Sequence, residues 1–227
     1  MLGWKWLTWV GVVCLLVGSL AQLAQYLVTP LRPGTSTAAQ VAQVAADRSA
    51  MQLALVLDMP LLLIVPAVLF IGAVAGLRSS RLAVTGTVVA FMALLVAVVL
   101  LAHDVLLYEA GGMADPVAAT ALVEAYDGNW FVVAMLLLYL IGQTLGFLLL
   151  ATALWRARTV PRWAAVALAA FPVVQFVGVA GDVKVVGAAG YALAVVGCAA
   201  CALALLRSKS TPAGATRPTA VAAAIAP

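Results

Sequence analysis

Residues 82–107, LAVTGTVVAFMALLVAVVLLAHDVLL, decide the fold class. The first twenty-one of them carry no ionisable side chain. A helix rises about 1.5 Å per residue, so this stretch crosses a hydrocarbon layer about 30 Å thick. Five further stretches have the same character: 6–28, 51–77, 130–154, 163–180 and 185–206. None alternates as a membrane barrel strand does. In lipid only helices or closed barrels satisfy the backbone. The fold class expected is all-α, a polytopic membrane bundle of six transmembrane helices filling residues 1–206. Residues 207–227 are small and proline-interrupted, and read as a disordered tail.

Composition leads to the same solvent. Of 227 residues, 66% are hydrophobic and 9% charged. Soluble domains carry about 25% charged residues, and a soluble chain this short cannot bury so much apolar side chain. The net charge of +4 does not indicate nucleic acid. The basic residues sit in small groups at helix ends, where orientation in a membrane requires them, and form no stripe with interleaved aromatics. Ser19-Leu20-Ala21 resembles a signal-peptide cleavage site. The apolar run nevertheless continues to Val28, so the first helix is expected to be retained.

The connections alternate in charge. Lys5, Arg78, Arg81, Arg156, Arg158, Arg162, Arg207, Lys209 and Arg217 form one set, with no acid among them. The other set holds Arg32, Arg48 and Lys184 against Asp47, Asp104, Glu109, Asp115, Glu124, Asp127 and Asp182. Basic loops stay in the cytoplasm. Both termini are therefore expected inside and both long loops outside. Each long loop has a capping residue followed by an Ala/Val-rich run: Thr35-Ser36-Thr37 before AAQVAQVAADR, and Asp115-Pro116 before VAATALVEAYD. Proline suits a first helical turn. Two short helices lying on the outer face are expected.

Two stretches carry a family resemblance: TAAQVAQVAADRSAMQLALVLDMP and YLIGQTLGFLLLATALWRARTVPRWAAVAL. With an acid early in the second span (Asp58) and a Pro161-Arg162 pair after the fourth, the chain resembles a family of six-helix bacterial membrane proteins of the actinobacterial type, classed as a domain of unknown function. That family's polar residue near the start of the fourth span has no clear counterpart here. The resemblance implies the six-helix fold and a place in the bacterial plasma membrane, and no particular activity.

Ionisable residues within spans are costly in lipid and mark candidate sites. Counting from Arg78 and Arg81 places Asp58, His103 and Asp104 near the outer interface. Gln22, Gln25 and Tyr26 reach that level on the first helix, and Asn129 and Asp182 border it. Together these residues outline an outward-facing polar vestibule. The plainer alternatives are that Asp58 caps a helix start before Met59-Pro60, and that His103 and Asp104 are ordinary interfacial residues. Tyr139, Gln143 and Gln175 lie near the midplane, either as hydrogen-bonding glue between helices or as a polar path. Gly72-xxx-Gly76 and Gly142-xxx-Gly146 permit close helix approach, and Pro60, Pro66 and Pro172 predict bends. Cys198 and Cys201 have redox spacing, but like Cys14 they lie in apolar runs and read as packing residues.

No metal-ligand spacing occurs, and one histidine cannot supply bis-histidine haem ligation, so neither metal nor cofactor is expected. No phosphate-binding glycine loop, nucleophile elbow or zinc-protease helix is present. The missing motifs favour a non-catalytic accessory or regulatory membrane protein. A small-solute transporter or channel and an intramembrane enzyme using Asp58 and His103 remain as alternatives. The enzyme requires those two side chains within hydrogen-bond reach. The expected partners are the lipid bilayer and either another protein or a second copy of the chain, and no nucleic acid.

Overall fold

The computed structural model describes residues 2–76 and 80–207. Arg78 and residues 208–227, which include Lys209, Arg217 and all of the predicted tail except Arg207, lie outside the described residues, as does the side chain of Lys5. Among the described residues the chain forms α1 (Leu2–Val28), α2 (Thr37–Ala46), α3 (Arg48–Leu61), α4 (Ile64–Gly76), α5 (Ser80–Ala110), α6 (Pro116–Asp127), α7 (Trp130–Ala157), α8 (Arg162–Ala180) and α9 (Lys184–Arg207). Six segments are long and apolar enough to cross a membrane: α1, α3 with α4, α5, α7, α8 and α9. Their limits lie within three residues of the sequence expectation. The chain thus has the architecture of a multi-pass membrane protein.

The six segments pack in a ring in chain order, and α9 closes back onto α1. α4 also touches α7 and α9 across the ring, so it fills the centre of its half of the bundle. That is why Ala67, Val68 and Ile71 are wholly buried. Large apolar side chains on the outer surface, such as Leu69, Val88, Leu137 and Leu203, are exposed. Bundles with apolar exteriors have lipid as solvent.

Small residues set the helix spacing. A Cβ on Gly146 would lie 2.5–2.7 Å from Ala90, and one on Gly142 would lie 2.8 Å from Ala93. The Gly142-xxx-Gly146 pair therefore seats α7 against α5 within the chain. Gly178 meets the backbone of Gly187 in the same way, joining α8 to α9. Cys14, Cys198 and Cys201 are free thiols in the apolar interior.

The two short helices form where their caps predict. Ser36 accepts from the Ala39 N–H at 3.4 Å. Asp115 accepts from Val117 at 2.9 Å and Ala118 at 3.2 Å, with Pro116 in the first turn. α2 and α6 pack on each other at one end of the bundle. Val41, Val44, Ala119 and Val123 are buried there, with Met51, Leu107 and Ala110 beneath. This end is the capped end.

The second span starts at Arg48, three residues earlier than expected, because Asp47 caps it. Its carboxylate accepts from the Ala50 N–H at 3.0 Å and the Ser49 hydroxyl at 2.8 Å. These bonds hold the Asp47 carboxyl below its ordinary value. The predicted bend is a break. Helix is interrupted at Leu62 and Leu63 between α3 and α4, because Pro60 and Pro66 each lack the N–H that an unbroken helix needs. Gly18 of α1 makes room for this break. A Cβ there would lie 2.7 Å from the Ile64 nitrogen.

Candidate functional site

Beside the break lies a cavity of about 360 Å³ in the capped half of the bundle. Its walls come from α1, α3, α4, α5, α6, α7 and α9. On α5 the lining runs from Asp104 to Leu94. Ten residues correspond to about 15 Å of helix rise, roughly half the hydrocarbon thickness.

Gln22, Gln25, Asp58, His103 and Asp104 all line this cavity. Asp58 lies in the last turn of α3, one turn before Leu62, so the break carries it into the wall. The residue is 6% exposed. Neither carboxylate oxygen has a hydrogen-bond partner among the described residues. The helix-capping alternative fails for that reason: no backbone N–H reaches the carboxylate.

His103 has different company. Its Nε2 lies 3.2 Å from Oδ1 of Asp127, and its Nδ1 lies 3.7 Å from Oδ1 of Asp104. An imidazole with hydrogens on both nitrogens faces a carboxylate on each side. Gln25 donates its amide to Oδ2 of Asp104 at 3.4 Å. His103 does not hydrogen-bond Asp58, so the condition set for an intramembrane enzyme using that pair is not met.

Asp182 does not join the cluster. It occupies the turn between α8 and α9 at φ 54°, is exposed, and lies against Gly34 of the α1–α2 loop. Equal height along the bundle gave no information about which way round the ring it faced. Asn129 is spent on capping α7, accepting from the Phe131 N–H at 2.9 Å.

The sequence reading missed Tyr126, Asp127 and Tyr191 as cavity residues. Tyr126 and Asp127 arrive only because α6 folds back over the opening. Desolvation, and then the Asp127 charge, push the Tyr126 hydroxyl above its ordinary value. Tyr191 carried a weak signal as a polar aromatic seven residues into the last span. Its ring packs on Tyr26 with centroids 4.9 Å apart.

Tyr139, Gln143 and Gln175 do come together. Gln143 donates to the Gln175 side-chain carbonyl at 3.4 Å, and Gln175 donates to the Tyr191 hydroxyl at 2.6 Å. The Tyr139 hydroxyl interacts with both amides. This network ties α7, α8 and α9 together at the cavity floor. Tyr139 and Tyr191 line the cavity, whereas the two glutamines stand behind them. One turn beyond Gln143 the interior closes. Phe147 and Phe171 meet edge to face with centroids 4.8 Å apart.

Among the described residues no group of three or more His, Cys, Asp or Glu side chains is placed to hold a metal ion. No family model, curated protein or solved structure matches the chain.

Proposed function

We propose that the chain is a small-solute transporter of a bacterial plasma membrane, with both termini cytoplasmic and the capped end facing outward. The observation that carries this reading is Asp58: a buried carboxylate with no hydrogen-bond partner among the described residues, in a cavity wall at the break of a membrane helix. Ionisable groups held at that depth mark solute and proton routes. Broken helices also recur at transporter sites. The cavity falls in the size range of small-molecule sites. Beyond it, the Phe147–Phe171 contact closes the other half, as an outward-facing state requires. The orientation is supported by charge. Arg81, Arg156, Arg158, Arg162 and Arg207 stand at the end away from the cap, and the acids of the loops cluster at the capped end. Membership of the six-helix family that the sequence resembles is part of the same proposal.

The test uses a variant in which Cys14, Cys198 and Cys201 are replaced by alanine and Ala97→Cys is introduced. Ala97 lines the cavity. A membrane-impermeant thiol reagent added to intact cells is expected to label it. A transporter exposes the same thiol to the cytoplasmic side in its other state, so inverted vesicles label as well. No labelling from outside sinks the outward-facing cavity, and labelling from outside alone sinks alternating access.

A second reading, a non-catalytic accessory subunit, has one observation in its favour. A groove of about 650 Å³ runs along the outside of the α2–α6 pair, lined by Val41, Ala45, Met113 and Val117. Such a groove suits a partner protein's apolar segment. Labelling of Ala97→Cys from outside alone, with a copurifying membrane protein, is the outcome that selects it.

A further inference from the structure

The chemistry of the cavity wall names a class of solute. Among the described residues three carboxylates line it, those of Asp58, Asp104 and Asp127, against one imidazole and no lysine or arginine. If His103 is charged and the carboxylates ionised, the acids still outnumber it by two. Asp104 and Asp127 share that imidazole, and Asp104 also receives the Gln25 amide. Asp58 receives no hydrogen bond from the described residues. A buried charge without a partner is costly, and a ligand that supplies the opposite charge removes the cost.

A bare inorganic cation does not fit the rest of the wall. Hard cations gather six or more oxygens about one point, and no acidic or histidine group of that kind exists among the described residues. Away from the carboxylates the wall is apolar and aromatic. Leu62, Val65, Leu94 and Leu136 contribute aliphatic surface, and Tyr139 and Tyr191 contribute rings. Aromatic faces combined with a carboxylate recognise ammonium groups carrying carbon substituents. An anion would meet three carboxylates, and a neutral polar solute could hydrogen-bond Asp58 but would bring no charge to offset an ionised carboxylate.

We infer that the cavity binds an organic ammonium ion, its nitrogen beside Asp58 and its apolar body against Tyr139, Tyr191 and the aliphatic wall. This inference rests on the solute-binding reading of the cavity. No bond is made or broken in the step, because binding replaces the cation's water with the carboxylate and the rings.

The test uses the full-length protein carrying Ala97→Cys in the cysteine-free background. Three probes compete with the thiol reagent: choline, neohexanol (in which carbon replaces choline's nitrogen) and benzyltrimethylammonium. Both ammonium ions are expected to slow labelling in a saturable manner. Benzyltrimethylammonium should act at concentrations at least tenfold lower than choline, because its ring adds buried apolar surface. Neohexanol should not protect at the concentration where choline does. Asp58→Asn should weaken ammonium protection at least tenfold while labelling continues. Asp104→Asn should weaken it less, because that carboxylate already has partners.

Comparing choline with neohexanol needs no variant, so the inference stays exposed even if Asp58→Asn fails to fold. Equal protection by choline and neohexanol overturns it, as does undiminished ammonium protection in Asp58→Asn. Either result leaves a proton as the occupant of Asp58. Labelling from outside without protection by any probe overturns the ammonium site and leaves the outward-facing cavity standing. Absence of labelling from outside removes both.

Discussion

Oδ1 of Asp127, the last residue of α6, stands 3.2 Å from Nε2 of His103, which faces the cavity from α5. The contact pins the C-terminal end of α6 over the opening, while the other end of that helix is held by its Asp115 cap. Asp127 is 41% exposed at its side chain, so the pair is worth only about 0.2–1 kcal/mol. Asp127→Ala should therefore leave global stability almost unchanged and loosen the cover locally. The expected result is faster amide exchange across residues 116–127 and faster labelling of Ala97→Cys. Unchanged rates in both measurements show that α6 is held without this contact.

Gly178 and Gly187 test the seam between α8 and α9. A Cβ on Gly178 would run into the Gly187 backbone, and one on Gly187 would run into the Tyr26 hydroxyl. Backbone cannot retreat as a flexible side chain does. Gly178→Val should cost at least about 1–3 kcal/mol through overpacking and displaced helices. Gly76→Ala is the control. No described residue lies within 4 Å of a Cβ at that position, so its effect should stay within about 0.5 kcal/mol. Thermal unfolding of the detergent-purified variants separates the two. A stable Gly178→Val protein would falsify the close approach.

The glutamine network makes a graded prediction. Gln175 both accepts from Gln143 and donates to Tyr191, so Gln175→Leu removes two bonds and strands a buried hydroxyl. Gln143→Leu removes only the first of those bonds. Interhelical hydrogen bonds in membranes average about 0.6 kcal/mol and reach about 1.7. Gln175→Leu should therefore cost more than Gln143→Leu, and the double variant should cost less than the sum because they share a bond. Strict additivity in a double-mutant cycle shows that the two amides act independently.

The six spans were legible because lipid imposes composition and length together, and each run declares itself without its neighbours. The caps at Ser36, Asp47 and Asp115 show how far local chemistry reaches: the sequence marks Ser36 and Asp115 as helix starts, whereas Asp47 shows itself as a cap only in the structure, where it accepts from the Ala50 N–H. Axial height was legible too: the sequence sets Gln22, Gln25, Asp58, His103 and Asp104 at one level, and all five line the cavity. Position around the ring was not. Asp182 sits at the right height on the wrong side, and Asp127 reaches His103 only through the fold of α6. The spacing of Gly142 and Gly146 likewise permits close packing without naming the partner, which here is α5 of the same chain. The prolines announced a disturbance of the second span, but whether they bend or break it depends on Gly18 making room on α1.

Phe147 and Phe171 close the bundle beneath the glutamines, each nearly free of exposure. Two effects compete when Phe147 is shortened to alanine. The lost ring leaves a void in a close-packed interior, and such truncations cost about 3–5 kcal/mol in soluble cores. In a membrane the unfolded reference is lipid rather than water, so the packing part of that loss remains and the transfer part shrinks. The cost should fall toward about 2 kcal/mol, within the tolerance of a native membrane protein. The cavity above and the void below would then be separated only by Gln143 and Tyr139. Phe147→Ala should let a cysteine placed at Leu150 react with impermeant reagent from outside, whereas Phe147→Leu should not. If the alanine variant stays folded and the Leu150→Cys thiol stays unreactive, the phenylalanine pair is packing and the barrier lies at the glutamine–tyrosine network.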